Sequence, residues 1–225
     1  MRYGKGWSMK FVVIDLEMCK VPNSGINRDY KWDMEIIQIG AVLVDEKYEI
    51  IDKFNSYVKP QEGNISGFIK ELTGISRYNV KNAPSFAEAI ESFKGWLSTE
   101  SEIRFVSWSM SDRKQLIKEA TYKHVDLGIV EDWFEDWIDA QAMFGEKMDT
   151  DKCYKLEDAL FVSDVDPEGN MHDGLDDAYN TAKLFIKLET EPDFKLNDMY
   201  LEAKEGDVEH LSFAMGDLFA GVQLG

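Results

Sequence analysis

The chain has 225 residues, 44% of them hydrophobic and 12% aromatic, which suits one packed domain with additions and excludes a solvated, disordered chain. Its formal net charge of −18 argues against a phosphate-binding surface spread over the whole molecule, yet residues 1–125 hold 18 Lys+Arg against 17 Asp+Glu while residues 126–225 hold 7 against 26, so any such surface belongs to the first half. Two cysteines, Cys19 and Cys153, exclude a disulfide framework and zinc-ligand spacing, and the apolar run Phe11 to Ile14 is too short for a signal-peptide core or a membrane span; a soluble, cytoplasmic protein with no membrane partner is expected.

The first elements are extended. Lys10 to Asp15, Glu35 to Asp45 and Tyr48 to Val58 read as three strands, the last two joined by a short polar turn at Glu46 and Lys47, which predicts a hairpin. Cys19 to Trp32, with Pro22, Asn23 and Gly25, has the composition of a loop, and its Arg28 and Lys31 are available for phosphates. A helix is expected from Ile65 to Leu72, stopped by Gly74, and a second from the N-cap Ser85 through Phe86, Ile90, Phe93 and Leu97, whose spacing gives one buried face. Ile103 to Ser107 follows as a short buried strand, Asp112 to His124 as a helix opened by Ser111, and Trp137 to Met143 as a strand end passing into a helix. Ala182 to Leu188 is again apolar-periodic and helical.

An antiparallel meander followed by β-α-β crossovers predicts an α/β domain with a mixed sheet and helices on both faces. The pattern changes after Thr190: residues 1–190 form the expected domain, and residues 191–225 a linker containing Pro192 followed by an appended helix over 207–225. In that helix Leu211, Met215, Leu218, Phe219 and Val222 fall on one stripe, suited to docking on the domain's own core or on a partner.

Three stretches could carry chemistry. Asp15 and Glu17 are two apart in an extended chain, so their carboxylates project to one side, and the buried run Phe-Val-Val-Ile before them means that they repel and desolvate one another unless a cation neutralises them. Asp112 follows Trp108-Ser109-Met110-Ser111 where a strand gives way to a helix; it serves equally well as a first-turn residue complementing the helix dipole. Strand ends that meet helix starts are nonetheless where α/β sheets place ligands. In Met171-His172-Asp173-Gly174-Leu175-Asp176-Asp177, a histidine precedes a helix and Asp177 lies about one turn inside it, so the two can face one locus. His124, ending a helix, and His210 read as structural.

Taken in this order, Asp15-x-Glu17, Asp112 in a Trp-x-x-x-Asp setting, and His172-x4-Asp177 resemble the DEDDh 3′-to-5′ exonucleases of the ribonuclease H-like fold. Ile37-Gln38-Ile39-Gly40-Ala41 and Leu72-Thr73-Gly74-Ile75-Ser76 are similar to that family as well, and the likeness spans about residues 10–188. A related subclass has Tyr four residues before the last Asp; Asp173 stands there, so the histidine form is the match. Ser107-Trp108 with Asp112-Arg113 looks closest to the KapD-like and histone-mRNA-exonuclease-like branch.

The resemblance implies a five-stranded ribonuclease H-like sheet and two Mg²⁺ or Mn²⁺ ions held by Asp15, Glu17, Asp112 and Asp177, with His172 activating water. It further implies release of nucleoside 5′-monophosphates from a single-stranded 3′ end, RNA before DNA, with Leu16, Met18 and Ile75 around the last nucleotide. Hard oxygen ligands suit such ions, and two of them about 4 Å apart stabilise both the entering and the leaving oxygens of a phosphodiester. Trp108 could stack on a base, although it, Met18 and Ile75 suit ordinary core packing too. The alternatives are a DNA exonuclease of the same mechanism and a catalytically silent nucleic-acid-binding module; the filled chemical positions weigh against the second.

Overall fold

A computed structural model describes residues 9–22, 33–100, 102–128, 134–149, 151–191, 194, 196 and 197. Five strands, β1 (Lys10–Lys20), β2 (Met34–Val44), β3 (Ile50–Tyr57), β4 (Ile103–Ser107) and β5 (Ile138–Asp139), form one sheet in the order β3-β2-β1-β4-β5. The β1/β2 and β2/β3 pairs are antiparallel, and β1/β4 and β4/β5 are parallel. The helices are α1 (Gly67–Thr73), α2 (Arg77–Val80), α3 (Phe86–Trp96), α4 (Ser111–Lys123), α5 (Ala140–Lys147), α6 (Leu156–Val162) and α7 (Gly174–Thr190). This is the expected mixed sheet.

Alternation along the strands builds a core on each face. Val12, Ile14, Leu16, Ile39, Ala41 and Phe105 pack against Phe86, Ile90 and Phe93 of α3 and Leu116 and Ala120 of α4. Phe11, Val13, Val42, Val44 and Val106 face the other way, onto Phe144 of α5, Leu160 of α6 and Ala182, Leu184 and Phe185 of α7. β2 is buried from Glu35 to Val44, which is why it reads as a nearly continuous apolar run and not as an alternating one. A third, smaller cluster of Ile65, Ile69, Ile75 and Val80 seats α1 and α2 on Cys19 and Ile37.

Local signals set most boundaries. Ser85 and Glu88 form a capping box at the start of α3, and Gly74 ends α1 with φ 71°, a left-handed conformation that glycine adopts at little cost. β1 runs on to Lys20 instead of turning into a loop near Cys19, because β2 supplies partners as far as Lys20↔Met34 and the register skips one residue beside Glu17. Residues 23–32 of that expected loop, including Arg28 and Lys31, lie outside the described residues, as do Pro192, His210 and the helix expected over 207–225. Phe194 and Leu196 pack against the α7 side of the core, and the Asn197 N–H donates to the Val162 carbonyl at 2.8 Å.

A buried ion group fixes α4. The Lys123 ammonium lies 2.5 Å from Glu35 and 2.8 Å from Glu119, while the N–H groups of Gln61, Glu62 and Gly63 donate to Glu35 and that of Ile36 donates to Glu119. Such a group adds little net stability, yet losing one partner strands a buried charge, so the last turn of α4 is pinned to the start of β2. Its first turn, carrying Asp112, is thereby aimed at β1.

Candidate active site

The site forms where β1 loses a neighbour. β4 pairs with β1 only from Lys10 to Val13, so the Leu16 N–H on that edge has no strand partner; it donates instead to Asp112 Oδ1 at 3.1 Å. The bond draws the first turn of α4 over the end of β1, beside Asp15 and Glu17. On the other side β2 continues, with Asp15 opposite Gly40 and Glu17 opposite Gln38.

Those two β2 residues place α7. A Cβ on Gly40 would meet the Gly174 carbonyl carbon at 2.1 Å and the Leu175 nitrogen at 2.2 Å, so the missing side chain is what lets the helix start touch the sheet. The fully buried Gln38 side chain accepts from the Gly174 N–H at 3.0 Å and donates to Asp173 at 3.1 Å, and it also donates to Asn55 on β3 at 3.1 Å. Asp173 is the N-cap of α7, accepting from Leu175 and Asp176. Its carboxylate therefore has a structural use at the start of the helix.

His172 stands just before this cap in a left-handed conformation, φ 65°, and its backbone N–H donates to Asp177 Oδ2 at 2.9 Å. Its side chain is exposed. Ligand atoms of Glu17, His172 and Asp177 all lie within 4.8 Å of one another. Asp177 is 6% exposed, and among the described residues its Oδ1 is buried without a hydrogen-bond partner.

The electrostatics bind the remaining carboxylates to the same locus. Burial first, then the charges of Asp112, Asp177 and Glu17, hold the Asp15 carboxyl well above the ordinary carboxylate range. Burial, with Asp177 and Asp112 nearby, pushes Glu17 up to about 8. Burial raises Asp112 to about 7 against the opposing Leu16 hydrogen bond, and raises Asp177 to about 6 against the His172 N–H. Four acids that repel one another, with one orphaned oxygen among them, suit a divalent cation and little else. Asp15, Glu17, Asp112, Asp177 and His172 thus converge from three distant stretches of sequence.

The residues expected around the last nucleotide fare differently. Leu16 is 3% exposed and faces α3 and α4, as alternation requires of the residue between two acids that share the opposite face. Ile75, 1% exposed, holds α1 and α2 to the sheet, and Met18 is partly buried against the α3 side of the core. Trp108 corrects the sequence reading: it is 8% exposed, its indole N–H donates to the Tyr154 carbonyl at 3.1 Å, and its ring packs near Phe144, so it is committed to the core and not to stacking on a base.

A ribonuclease H-like sheet bearing an acidic locus at the end of its central strand, with a histidine beside it, is the arrangement of a class of metal-dependent nucleases. The Exonuclease family model matches residues 12–185, and the chain belongs to that family. ERI1 exoribonuclease 2 of Danio rerio is 32% identical over 176 residues, covering 70% of this chain and 32% of the relative, so the chain spans about a third of that protein's length. Among solved structures, a 3′-exonuclease that recognises the histone mRNA stem-loop superposes with a TM-score of 0.71 at 21% identity, covering 86% of each chain. The nuclease domain of 3′hExo, a DEDDh family member bound to rAMP, gives 0.67 at 24% identity, covering 85% of this chain and 96% of that one.

Gln38 and Gly40 escaped the sequence reading as functional positions. Their signal was available: an amide and a glycine interrupting the buried run Ile36–Val44, the amide paired with Glu17 and the glycine with Asp15.

Proposed function

We propose that the protein is a 3′-to-5′ exonuclease that hydrolyses the terminal phosphodiester of single-stranded RNA and releases nucleoside 5′-monophosphates. The observation that carries this reading is the convergence of Asp15, Glu17, Asp112 and Asp177 beside His172, with the Asp177 Oδ1 buried and without a partner among the described residues.

Asp15, which feels the charge of all three other acids, would hold the divalent ions together with Glu17, Asp112 and Asp177. When bound, Mg²⁺ or Mn²⁺ would neutralise the phosphate and the developing charge on the entering and leaving oxygens. His172 sits on the exposed side of the acids, within reach of Glu17 and Asp177, where its ring accepts the proton of the attacking water. An imidazole is suited to that task near neutral pH. Attack at phosphorus with departure of the 3′-oxygen leaves a shortened strand ending in a 3′-hydroxyl and a nucleoside 5′-monophosphate. Gln38 and Gly40 hold the start of α7 so that His172 and Asp177 keep their places over β1.

The likeness to ERI1 exoribonuclease 2 and to a nuclease domain bound to rAMP supports RNA over DNA. The test uses matched 5′-labelled RNA and DNA strands with Mg²⁺ or Mn²⁺. A ladder shortening from the 3′ end, 5′-monophosphate products, faster loss of RNA, and silence of Asp15→Asn are expected. Internal fragments, or no metal-dependent product, overturn the reading; faster loss of DNA reverses the substrate preference.

A further inference from the structure

Helices α1 and α2 bury one side and leave the other bare. Ile69, Ile75 and Val80 anchor them to Cys19 and Ile37 at the end of β1, just beyond Glu17. Three of the four large apolar side chains that are exposed among the described residues lie on their outer surface: Phe68 at 68%, Leu72 one turn later at 38%, and Tyr78 at 75%. Single exposed apolar residues need no explanation, but three within eleven residues form a concentration.

The charge here runs against that of the chain. Residues 64–83 carry Lys70, Arg77 and Lys81 against Glu71 alone, within a molecule whose net charge is −18. The cations are interleaved with the rings: the Lys81 ammonium lies 4.1 Å from the centre of the Tyr78 ring. Arg77 is tied toward the carboxylates, because its guanidinium donates to Asn64 and Asn64 in turn bridges to Lys20, three residues past Glu17 and roughly 10 Å along the strand.

We propose that the outer face of α1 and α2 carries the single strand immediately upstream of the scissile phosphodiester, with Arg77 and Lys81 meeting phosphates and Tyr78 and Phe68 stacking on unpaired bases. The inference rests on the nuclease reading of the neighbouring site. Rings alternating with cations match the π-faces and phosphates of an unpaired strand. A second copy of the chain docking face to face would set these cations against one another. A carboxylate-lined site repels phosphates, so attraction for a long strand has to come from a cationic surface close by.

Two double variants test this, Phe68→Ala with Tyr78→Ala and Arg77→Ala with Lys81→Ala, all at exposed side chains and checked for an unchanged melting temperature. The probes are a labelled single-stranded RNA long enough to reach past α2, read by anisotropy in Ca²⁺ and by turnover in Mg²⁺, and the p-nitrophenyl ester of thymidine 5′-monophosphate, which reaches only the carboxylates. Loss of both rings should weaken binding of the long strand by about tenfold or more and raise its KM, leaving ester turnover unchanged. Loss of both cations should flatten the dependence of log K on log salt by about 1.4, from about 0.7 for each phosphate contact. Unchanged long-strand affinity in both doubles overturns the platform, whatever the ester shows. A wild-type protein that binds the strand through these residues but hydrolyses neither probe overturns the nuclease reading instead.

Discussion

Asp112→Asn should stabilise the metal-free protein at alkaline pH while removing its function. Asp112 is 5% exposed, and burial moves its carboxyl from the ordinary 3.8 to about 7. A carboxyl whose folded pKa is raised favours the folded state only while it is protonated. Its contribution is therefore complete below about pH 4 and is lost as pH rises through about 7. At pH 8 the difference between 3.8 and about 7 corresponds to about 4 kcal/mol of stability forgone. Asparagine does not ionise, and its Oδ1 can still accept the Leu16 N–H that Asp112 accepts at 3.1 Å. At about 2 to 4 °C per kcal/mol for a chain of this size, the variant should melt roughly 8 to 16 °C above the wild type in chelator at pH 8. The gain should shrink to nothing by about pH 4. Melting curves in EDTA across that range provide the assay, repeated in Mn²⁺, where the wild type should gain more stability than the variant because the ions bind the folded state and the variant has lost one ligand. A variant that melts below the wild type in chelator at pH 8 would refute the cost of the buried Asp112 charge that a bound cation is taken to relieve.

His172→Ala should lower kcat by about 10² to 10⁴, the usual worth of a general base, while Mn²⁺ affinity measured by calorimetry changes little; equal losses in both would make the histidine a ligand. Gln38→Ala leaves the Asp173 cap and the Gly174 N–H without their buried partner, at a cost of about 1 to 3 kcal/mol. It should depress kcat more than it raises KM; an unaltered kcat contradicts the positioning role. Gly40→Ala drives a Cβ into the Gly174 backbone, and a clash that only a backbone shift can relieve should cost about 1 to 3 kcal/mol or more, together with most of the activity. A fully active Gly40→Ala protein would mean that the seat of α7 does not matter to the chemistry.

Much of the sheet could be read from residues whose local chemistry speaks alone. The apolar run Phe11 to Ile14 in β1, the capping box at Ser85 and Glu88, and Gly74 at the end of α1 are signals that tertiary packing only confirms. The extension of β1 to Lys20 was hidden, since Met18-Cys19-Lys20 is a strand only because β2 reaches it. α2 was missed because four residues hold barely one turn, too little to show a period, and its burial against Cys19 makes it; α6 has no glycine stop like that of α1, and packing against Phe144 makes it.

The five chemical residues were legible for a different reason. Two acids at the end of a buried strand are costly unless neutralised, and that cost can be read from the residue types alone, while Asp112 and His172-x4-Asp177 stand out by their order after that pair. Their convergence is a property of topology: only the β3-β2-β1-β4-β5 order sets β1 between a long antiparallel neighbour and a short parallel one, opening the edge that Asp112 fills. Trp108 shows the limit of reading by type, since a ring beside a catalytic motif and a ring in a core look alike in sequence, and the Tyr154 carbonyl that claims its N–H lies 46 residues away.

Counting bound Mn²⁺ by electron paramagnetic resonance, in the wild type and in Asp15→Asn, tests the metal site most directly. Two ions per wild-type chain at millimolar metal and a loss of both in the variant are expected. A wild-type chain that binds none, or a variant that binds as many as the wild type, would contradict it.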